Sequence, residues 1–484
     1  MANPDRLTGL DSSFLHLEGD AAHMHVAACV VFQGRAPAYE DLVEELRSRL
    51  HLVPRYRQRL AFVPLAQGRP VWVDDPHFNT TFHVRHTALP RPGGDEELKR
   101  LAGRVFSQAL DRSRPLWELW LVEGLADDRF ALLSKTHHAL VDGVSGVDII
   151  SVLFDTSPAP MPVAPPEHEW IPRPLPAPSQ LLADALLERA TVPAEIARGV
   201  RAVLRGPRQV AAKAGEALAG LGAMTWAGLQ SAPPSPFNVR IGPHRRFTWV
   251  DGDLAEFKAI KNALGGTVND VVLTVVAGAL GRYMRIHGHA TEDVVLKAMV
   301  PVSVRADLDR GALGNQVAAM WAPLPVGLTD PVQRLLRISR EMEGVKESGQ
   351  AVGAQVLTTL TGFAPPTIMA QAARLQARQR LFNLVVTNVP GPQLPLYMQG
   401  RELEALYPMV PLADNTALGI AIMSYNGQLN FGLTADFDAL ADVEALAEEL
   451  RSSIEELVAA AGPSGSRRRA SQRASRRRAV RAVE

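Results

Sequence analysis

The chain has 484 residues, of which 46% are hydrophobic and 21% are charged, and its formal net charge at pH 7 is zero. This length exceeds what one ordinary core serves, so two or three domains are expected, and a neutral composition excludes proteins that bind nucleic acid through a basic body. The single cysteine, Cys29, excludes an intrachain disulfide.

The first third of the chain alternates predicted strands with predicted helices. Strands are predicted where β-branched and aromatic residues run together, and helices where apolar residues recur on one stripe opposite acidic residues. Such alternation is typical of an α/β layered domain. The predicted elements are the strand His23–Phe32, the helix Tyr39–Leu50, the short strands 72–75 and 82–85, the helix Glu96–Leu110, and the strands Pro115–Val122 and Arg129–Lys135.

The last of these strands leads into two adjacent histidines, His137 and His138, which are followed by Asp142 and Gly143. A strand end often carries chemistry, because the strand fixes the backbone while the loop exposes the side chain. Histidine titrates near neutral pH, so it can accept and return a proton. Two alternatives stay open at this point. The pair could close a turn as a structural feature, or the His-x3-Asp spacing could ligate a metal, although no companion cluster accompanies it.

An apolar run of helical length, Val147–Phe154, comes next. Nine prolines between Pro158 and Pro178 then forbid regular structure and predict a linker. The stretch Gln180–Gly228 is rich in alanine and leucine and predicts helices broken near Gly206. These helices either pack on the body as a bridging pair or lie on a membrane surface. The second alternative is suggested by interspersed basic residues, namely Arg189, Arg198, Arg201, Arg205, Arg208 and Lys213.

A second half begins near Phe237 and again alternates strands and helices. Thr267 and Asn269 stand where a side chain can cap a long apolar helix that runs to Ile286. The other predicted elements are the strand Phe247–Val250, the helix Leu254–Leu264, the strands Val294–Val304, Val317–Leu324, Phe382–Asn388, Gly419–Tyr425 and Gln428–Thr434, and the closing helix Asp442–Ala460.

Eight short strings in this order resemble the bacterial wax ester synthase/diacylglycerol acyltransferase family, and they extend over nearly the whole chain. One departure is Thr387, where the family often has serine, and the hydroxyl is kept. The strings are Leu7-Thr8-Gly9-Leu10-Asp11, Pro115-Leu116-Trp117, His137-His138-Ala139-Leu140-Val141-Asp142-Gly143, Gly242-Pro243-His244-Arg245-Arg246, Asn269-Asp270-Val271-Val272-Leu273, Pro301-Val302-Ser303-Val304-Arg305, Gly314-Asn315 and Thr387-Asn388-Val389-Pro390-Gly391-Pro392.

The resemblance implies an α/β fold of two chloramphenicol-acetyltransferase-like halves with an active-site channel at their junction. It also implies an O-acyltransferase that moves a long-chain acyl group from acyl-CoA to diacylglycerol, giving triacylglycerol, or to a long-chain alcohol, giving a wax ester. Acyl-CoA would be a substrate, and no metal or other cofactor is expected. Two alternatives remain: a condensation-type or polyketide-associated acyltransferase with another donor or acceptor, and a non-enzymatic lipid-surface protein.

The family's general base is the second histidine of the motif, here His138. Asp142 could orient it as in hydrolase triads, but in the resembled fold this aspartate pairs with an arginine, for which Arg305 is the expected partner. Gly143 is expected to give the backbone freedom after the loop. An oxyanion needs a hydrogen-bond donor, and Asn269 is our candidate, with helix capping as its alternative role. Asp270 is expected to be structural.

These observations predict four segments: an N-terminal acyltransferase half, a linker with bridging helices, a C-terminal half, and a disordered tail. The segments are residues 1–157, 158–236, 237–462 and 463–484. The tail has eight arginines and one glutamate, so it carries +7 and the rest of the chain −7. No signal peptide and no uncharged run of roughly 18 to 20 residues is seen. A cytoplasmic protein is therefore predicted, bound peripherally to the inner face of the membrane or to lipid inclusions.

Overall fold

A computed structural model of the chain describes residues 5–141, 151–188, 190, 231–303, 317–347 and 380–462. In these residues two six-stranded sheets and one two-stranded hairpin carry the fold. Each sheet buries its apolar face against helices, and a third set of apolar side chains fills the space where the two sheets meet. The architecture is therefore the layered α/β arrangement that the alternating pattern predicts.

The first sheet is built mainly from the N-terminal part of the chain, with strand order β11-β12-β1-β6-β5-β4. Its central pair is antiparallel, and His25 of β1 lies directly opposite His137 of β6. This register places the start of β1 beside the end of β6. The strands are β1 His25–Gln33, β4 Val84–Ala88, β5 Trp117–Leu125, β6 Arg129–His137, β11 Tyr397–Met398 and β12 Arg401–Met409, and the separate hairpin is β2 Gln58–Ala61 with β3 Val71–Asp74.

The second sheet comes from the C-terminal part of the chain, with strand order β7-β14-β13-β10-β8-β9. Strands β8, β10 and β13 are parallel to one another, whereas the pairs β13–β14, β14–β7 and β8–β9 are antiparallel. The strands are β7 Arg245–Asp253, β8 Val295–Ser303, β9 Val317–Pro325, β10 Leu384–Pro390, β13 Leu418–Tyr425 and β14 Gln428–Asp436.

Local capping explains where several helices begin. Thr8 accepts from the Asp11 amide at the start of α1, and Asp253 accepts from the Ala255 amide at the start of α6. The helices are α1 Gly9–Leu17, α2 Tyr39–Arg49, α3 Thr80–His83, α4 Asp95–Ser107, α5 His138–Val141, α6 Leu254–Leu264, α7 Val268–Ile286, α8 Pro331–Glu347 and α9 Val443–Ala460, and residues 178–188 are also helical. Among the described residues no single helix meets the length and apolarity that a membrane crossing needs, and only α6 and α7 together do so, bent by 99°.

Helix α4 and strand β12 join the two sheets. Leu98 and Phe106 of α4 pack with Trp249 of β7 and Tyr407 of β12 in one buried cluster. The ring of Trp249 stacks on that of Tyr407 with centroids 4.5 Å apart. Because β12 pairs with β1, a stretch from the predicted C-terminal half completes the first sheet. The predicted segment boundaries stay predictions, but the sheets do not divide at residue 237.

Most predicted elements are confirmed to within a few residues, and two sequence predictions need correction. The strand predicted at residues 82–85 begins only at Val84, as β4, because Asn79 accepts from the Thr81 amide and caps the single turn α3 over Thr80–His83. The helix predicted from Val147 to Phe154 shows a 3-10 turn at Ser151–Leu153, and its first residues lie outside the described chain.

Candidate active site

His138 lies where the two halves of the protein meet. It is the first residue of α5, directly after β6, and it is half-buried. Its imidazole stacks on Phe14 of α1 with ring centroids 4.0 Å apart. Phe14 in turn packs against the apolar core of the second sheet. The ring predicted to be the general base therefore rests on a side chain that belongs to the junction.

Hydrogen bonds fix the backbone on both sides of the histidine pair. The amide of His138 donates to the carbonyl of Met24 at 2.8 Å, and the amide of His137 donates to the carbonyl of Leu116 at 2.9 Å. Leu116 belongs to the Pro-Leu-Trp string, and Trp117 anchors that string by donating from its indole to the Tyr56 carbonyl at 2.8 Å. This string therefore positions the histidine loop without supplying chemistry.

His137 points into the protein, away from the exposed side of His138. Its Nδ1 accepts from the Ala139 amide at 3.0 Å, which leaves Nε2 for the other neighbours of the ring. That nitrogen lies 3.6 Å from Oε1 of Glu18. The same oxygen lies 3.4 Å from Nε2 of His25, and Arg112 donates to the other carboxylate oxygen from Nε at 2.8 Å and from Nη2.

Electrostatics fix the charge of two members of this cluster, Glu18 and His25. Burial alone would raise the pKa of Glu18, but contacts with His137, His25 and Arg112 outweigh burial and hold its pKa far below the usual range. Burial lowers the pKa of His25 to about 3, although Glu18 opposes the shift. Glu18 is therefore a carboxylate and His25 is neutral near pH 7. The cluster of Glu18, His25, His137 and Arg112 therefore supports the histidine loop from the inside of the protein, with Glu18 charged.

Arg245 fastens the second half to the loop region of the first. Its guanidinium donates to the carbonyls of Gly242 and His244 in its own string and to the carbonyl of Ala21 in the first half. Its amide donates to Ser107 at the end of α4 at 2.8 Å. This arginine is buried, and Nη1 lies 3.8 Å from Asp436. The Gly-Pro-His-Arg-Arg string therefore connects the second half to the first half.

Asn269 sits in a separate network at the start of α7. The two capping roles there belong to Thr267, which accepts from the Asp270 amide, and to Asp270, which accepts from the Thr267 amide at 2.8 Å. These capping bonds are the structural role expected for Asp270. The side-chain oxygen of Asn269 instead accepts from the side-chain Nδ2 of Asn388 at 3.4 Å. Asn388 stands in the Thr-Asn-Val-Pro-Gly-Pro string, so two family strings meet here.

Three predicted site residues, Asp142, Gly143 and Arg305, lie outside the described residues, and so does the Gly314-Asn315 string. Their roles stay predictions. Sequence reasoning missed Glu18 and Arg112 in the buried cluster, because they are separated by nearly a hundred positions and neither stands in a motif. The His23-x-His25 alternation was the one signal available, since it marks polar side chains at a strand start. Among the described residues no group of three potential ligands could hold a metal ion.

Comparison with known proteins agrees with this geometry. The sequence model of the wax ester synthase/diacylglycerol acyltransferase catalytic domain matches residues 7–272. The chain belongs to the wax ester synthase/diacylglycerol acyltransferase family. The model of the family's C-terminal domain matches residues 313–458. The predicted family is confirmed, and membership makes the chain an acyltransferase.

One relative, assigned as diacylglycerol O-acyltransferase tgs1 of Mycobacterium tuberculosis, is 33% identical over 459 residues, which cover 94% of this chain and 96% of the relative. The solved wax ester synthase/diacylglycerol acyltransferase from Marinobacter aquaeolei VT8 is 30% identical, with a TM-score of 0.65 over 95% of this chain and 100% of that one. The starter condensation domain of rhizomide synthetase shares the fold alone, at 15% identity and a TM-score of 0.57, with 94% of each chain covered. The predicted fold class is confirmed.

Proposed function

We propose that this protein transfers a long-chain acyl group from acyl-CoA to the hydroxyl of diacylglycerol or of a long-chain alcohol. The observation that carries the proposal is the placement of His138, half-buried at the junction of two halves, with its backbone fixed and its ring against Phe14. Family membership supports the reaction class. Forming an ester from a thioester requires a base but no redox step.

In this mechanism His138 removes the alcohol proton as the alcohol oxygen attacks the thioester carbonyl. The Nδ1 atom of His138 is buried, so Nε2 is the nitrogen that takes the proton. An alcohol with a pKa near 16 is hardly ionised at neutral pH, and a positioned base contributes on the order of a hundredfold to ten-thousandfold. The tetrahedral adduct then expels CoA as a thiolate, which takes the proton back from His138. No covalent enzyme intermediate forms.

Asn269 is the proposed oxyanion donor. Its amide oxygen accepts from Asn388, so its amide nitrogen is the group left to donate elsewhere. The N-terminus of α7 adds a favourable partial charge for a developing anion. Asp142 and Arg305 would form the ion pair that holds the far side of the histidine loop.

The solubility of the proposed lipid substrates indicates where in the cell the enzyme acts. Diacylglycerol and long-chain alcohols are nearly insoluble in water, so the enzyme must meet them at a lipid surface. We propose that it acts in the cytoplasm, bound peripherally to the inner face of the membrane or to lipid inclusions. Charge supports this, because the arginine-rich tail carries +7.

The decisive experiment gives purified protein one long-chain acyl-CoA and several acceptors: diacylglycerol, a long-chain alcohol, a short soluble alcohol and an amine. Release of CoA thiol and formation of ester are measured together. Equal amounts of CoA and ester, dependent on an alcohol, are expected. CoA release without an acceptor would indicate a thioesterase instead, and amide formation would favour the condensation-type alternative.

A further inference from the structure

The loop that joins β2 to β3 displays apolar side chains to solvent. Leu65 is 81% exposed, the largest exposed fraction of any large apolar residue in the described chain, and Phe62 of the same loop is 51% exposed. Scattered single apolar residues on a surface need no explanation, but two in one tight loop form a projecting tip. What this tip contacts is therefore a question about function.

The backbone of this tip is held in an uncommon conformation. Leu65 and Ala66 have φ values of +57° and +51°. Residues with a Cβ disfavour this left-handed region, and such strain tends to persist where it serves a site. Neither residue is glycine or asparagine, which tolerate the region best. Leu65 stays outside the small apolar cluster around Val63, which lies two residues earlier in the chain.

The helical segment 178–188 is built onto the same hairpin. Leu181 and Ala185 pack with Val63 and Val71 of the hairpin in a small apolar cluster. The contact is close, since a Cβ added at Gly68 of the loop would lie 2.7 Å from the Cβ of Ala185. Loop and helix therefore form one unit.

Two arginines fasten the end of this helix. Glu188 forms ion pairs with Arg6 at 2.6 Å and with Arg69 of the loop at 2.7 Å. The inward face of the helix thus consists of Leu181, Ala185 and Glu188, at helical spacing. Leu186 and Leu187 lie on the outward face and are 50% and 66% exposed. Four large apolar side chains of the unit are accordingly presented to solvent.

The sequence that flanks these side chains is net basic, although Arg69 is paired with Glu188 and Asp184 lies in the helix itself. Residues 58–73 contain two arginines, Arg59 and Arg69, and no aspartate or glutamate. The sequence that follows the helix, residues 189–213, has five arginines and one lysine against one glutamate. Apolar side chains amid cationic ones suit a bilayer interface with anionic headgroups, where apolar insertion and charge attraction add.

We propose that Phe62, Leu65, Leu186 and Leu187, the hairpin face, dock the enzyme on an anionic lipid surface. This inference rests on the proposed function, because an enzyme with water-insoluble acceptors has to reach them in a lipid phase. The four side chains insert among the acyl chains, while the arginines stay at headgroup level.

The test compares two double variants, Phe62→Ser/Leu65→Ser and Leu186→Ser/Leu187→Ser, with the wild-type protein. A matched control, Ile286→Ser/Leu336→Ser, removes apolar residues that are 67% and 44% exposed on α7 and α8. Binding is measured by co-sedimentation with vesicles of phosphatidylglycerol and phosphatidylcholine. Each hairpin-face variant should bind at least about tenfold more weakly, as expected when two buried apolar side chains are lost. The control should bind like wild type.

Turnover of a short soluble alcohol is measured on the same proteins and should be unchanged. If wild type acylates neither the short alcohol nor diacylglycerol nor a long-chain alcohol, the proposed function fails while vesicle binding still tests the hairpin face. Three results would overturn the inference: wild type that does not bind the vesicles, hairpin-face variants that bind as tightly as wild type, or variants with a lower melting temperature or altered oligomeric state. The last result would show that the chain itself or a second copy covers the face.

Discussion

His137 directly precedes the proposed base His138, and its Nε2 lies 3.6 Å from the carboxylate of Glu18. The two adjacent histidines therefore have different environments, since His137 is buried in a polar cluster and His138 faces the junction. The strand pattern explains this difference. His137 ends β6 and points to one side of the sheet, whereas His138 begins α5 and leaves the sheet.

His138→Ala should abolish ester formation while the fold survives. The side chain is half-buried and its ring stacks on Phe14, so its loss removes little buried packing. Turnover should fall at least about a hundredfold, the magnitude expected for a positioned base. CoA release measures activity, and the melting temperature measures folding. A variant that keeps more than about a tenth of wild-type turnover rules out this role.

His137→Ala should show the opposite profile. The change removes the acceptor of the Ala139 amide and the neighbour of Glu18, leaving buried polar groups unsatisfied. A destabilisation of about 1–3 kcal/mol is expected. Urea unfolding measures it, and residual turnover at low temperature should exceed that of His138→Ala. The assignment of separate roles is wrong if His137→Ala matches wild type in stability and His138→Ala does not.

Local patterns allowed most helices and strands to be predicted, because caps and apolar stripes are set within a few residues. Helix α7 begins and ends where the sequence indicates, with Thr267 as its cap. Two longer-range features could not be predicted. Strand β12 has no motif, and its place beside β1 depends on a partner some 370 residues earlier. Glu18 and Arg112 meet only because α1 ends beside the turn that follows α4. Both examples need tertiary contacts that one sequence does not encode locally.

Arg245→Met should destabilise the protein far more than Arg246→Met, its matched neighbour. Arg245 is buried and donates across the junction, whereas the guanidinium of Arg246 lies on the surface over Phe437. Removing the buried arginine leaves three carbonyls short of a donor and Asp436 short of a charge partner, at a cost of about 3–5 kcal/mol. Denaturant unfolding of both variants checks this. Equal stabilities would show that Arg245 does not fasten the halves.

Acid should weaken the fold through buried neutral histidines. Burial lowers the pKa of His83 to about 4, and Nδ1 of its ring donates to the Trp117 carbonyl at 2.8 Å. Because the unfolded chain binds this proton near pH 6.5, stability is lost as pH falls from about 6.5 to 4. The contribution is at most about 1.4 kcal/mol per pH unit.

His83→Asn keeps a donor for Trp117 but cannot titrate, so its free energy of unfolding should depend less steeply on pH in that window. His287 offers a control of opposite sign. The Tyr283 carbonyl and Asp442 raise the pKa of His287, so its contribution is present at low pH and lost as pH rises through the raised value. His287→Asn should therefore lose stability mainly on the acid side. An unchanged pH dependence in His83→Asn would contradict the burial argument.

Removal of residues 463–484 should weaken binding to anionic vesicles in a salt-dependent way. The segment carries +7, and each basic residue close to an anionic surface contributes up to roughly 1 kcal/mol. Exposed charges are screened within about 8 Å at physiological ionic strength, so the difference between truncated and full-length protein should shrink as salt rises. Apolar insertion by the hairpin face does not weaken with salt, so the binding that survives in high salt should be the part that Phe62→Ser/Leu65→Ser removes. Turnover of a short soluble alcohol should be the same in both proteins. Equal vesicle binding of the two proteins at low salt would mean that the tail only solubilises the chain and that the surface contact lies elsewhere.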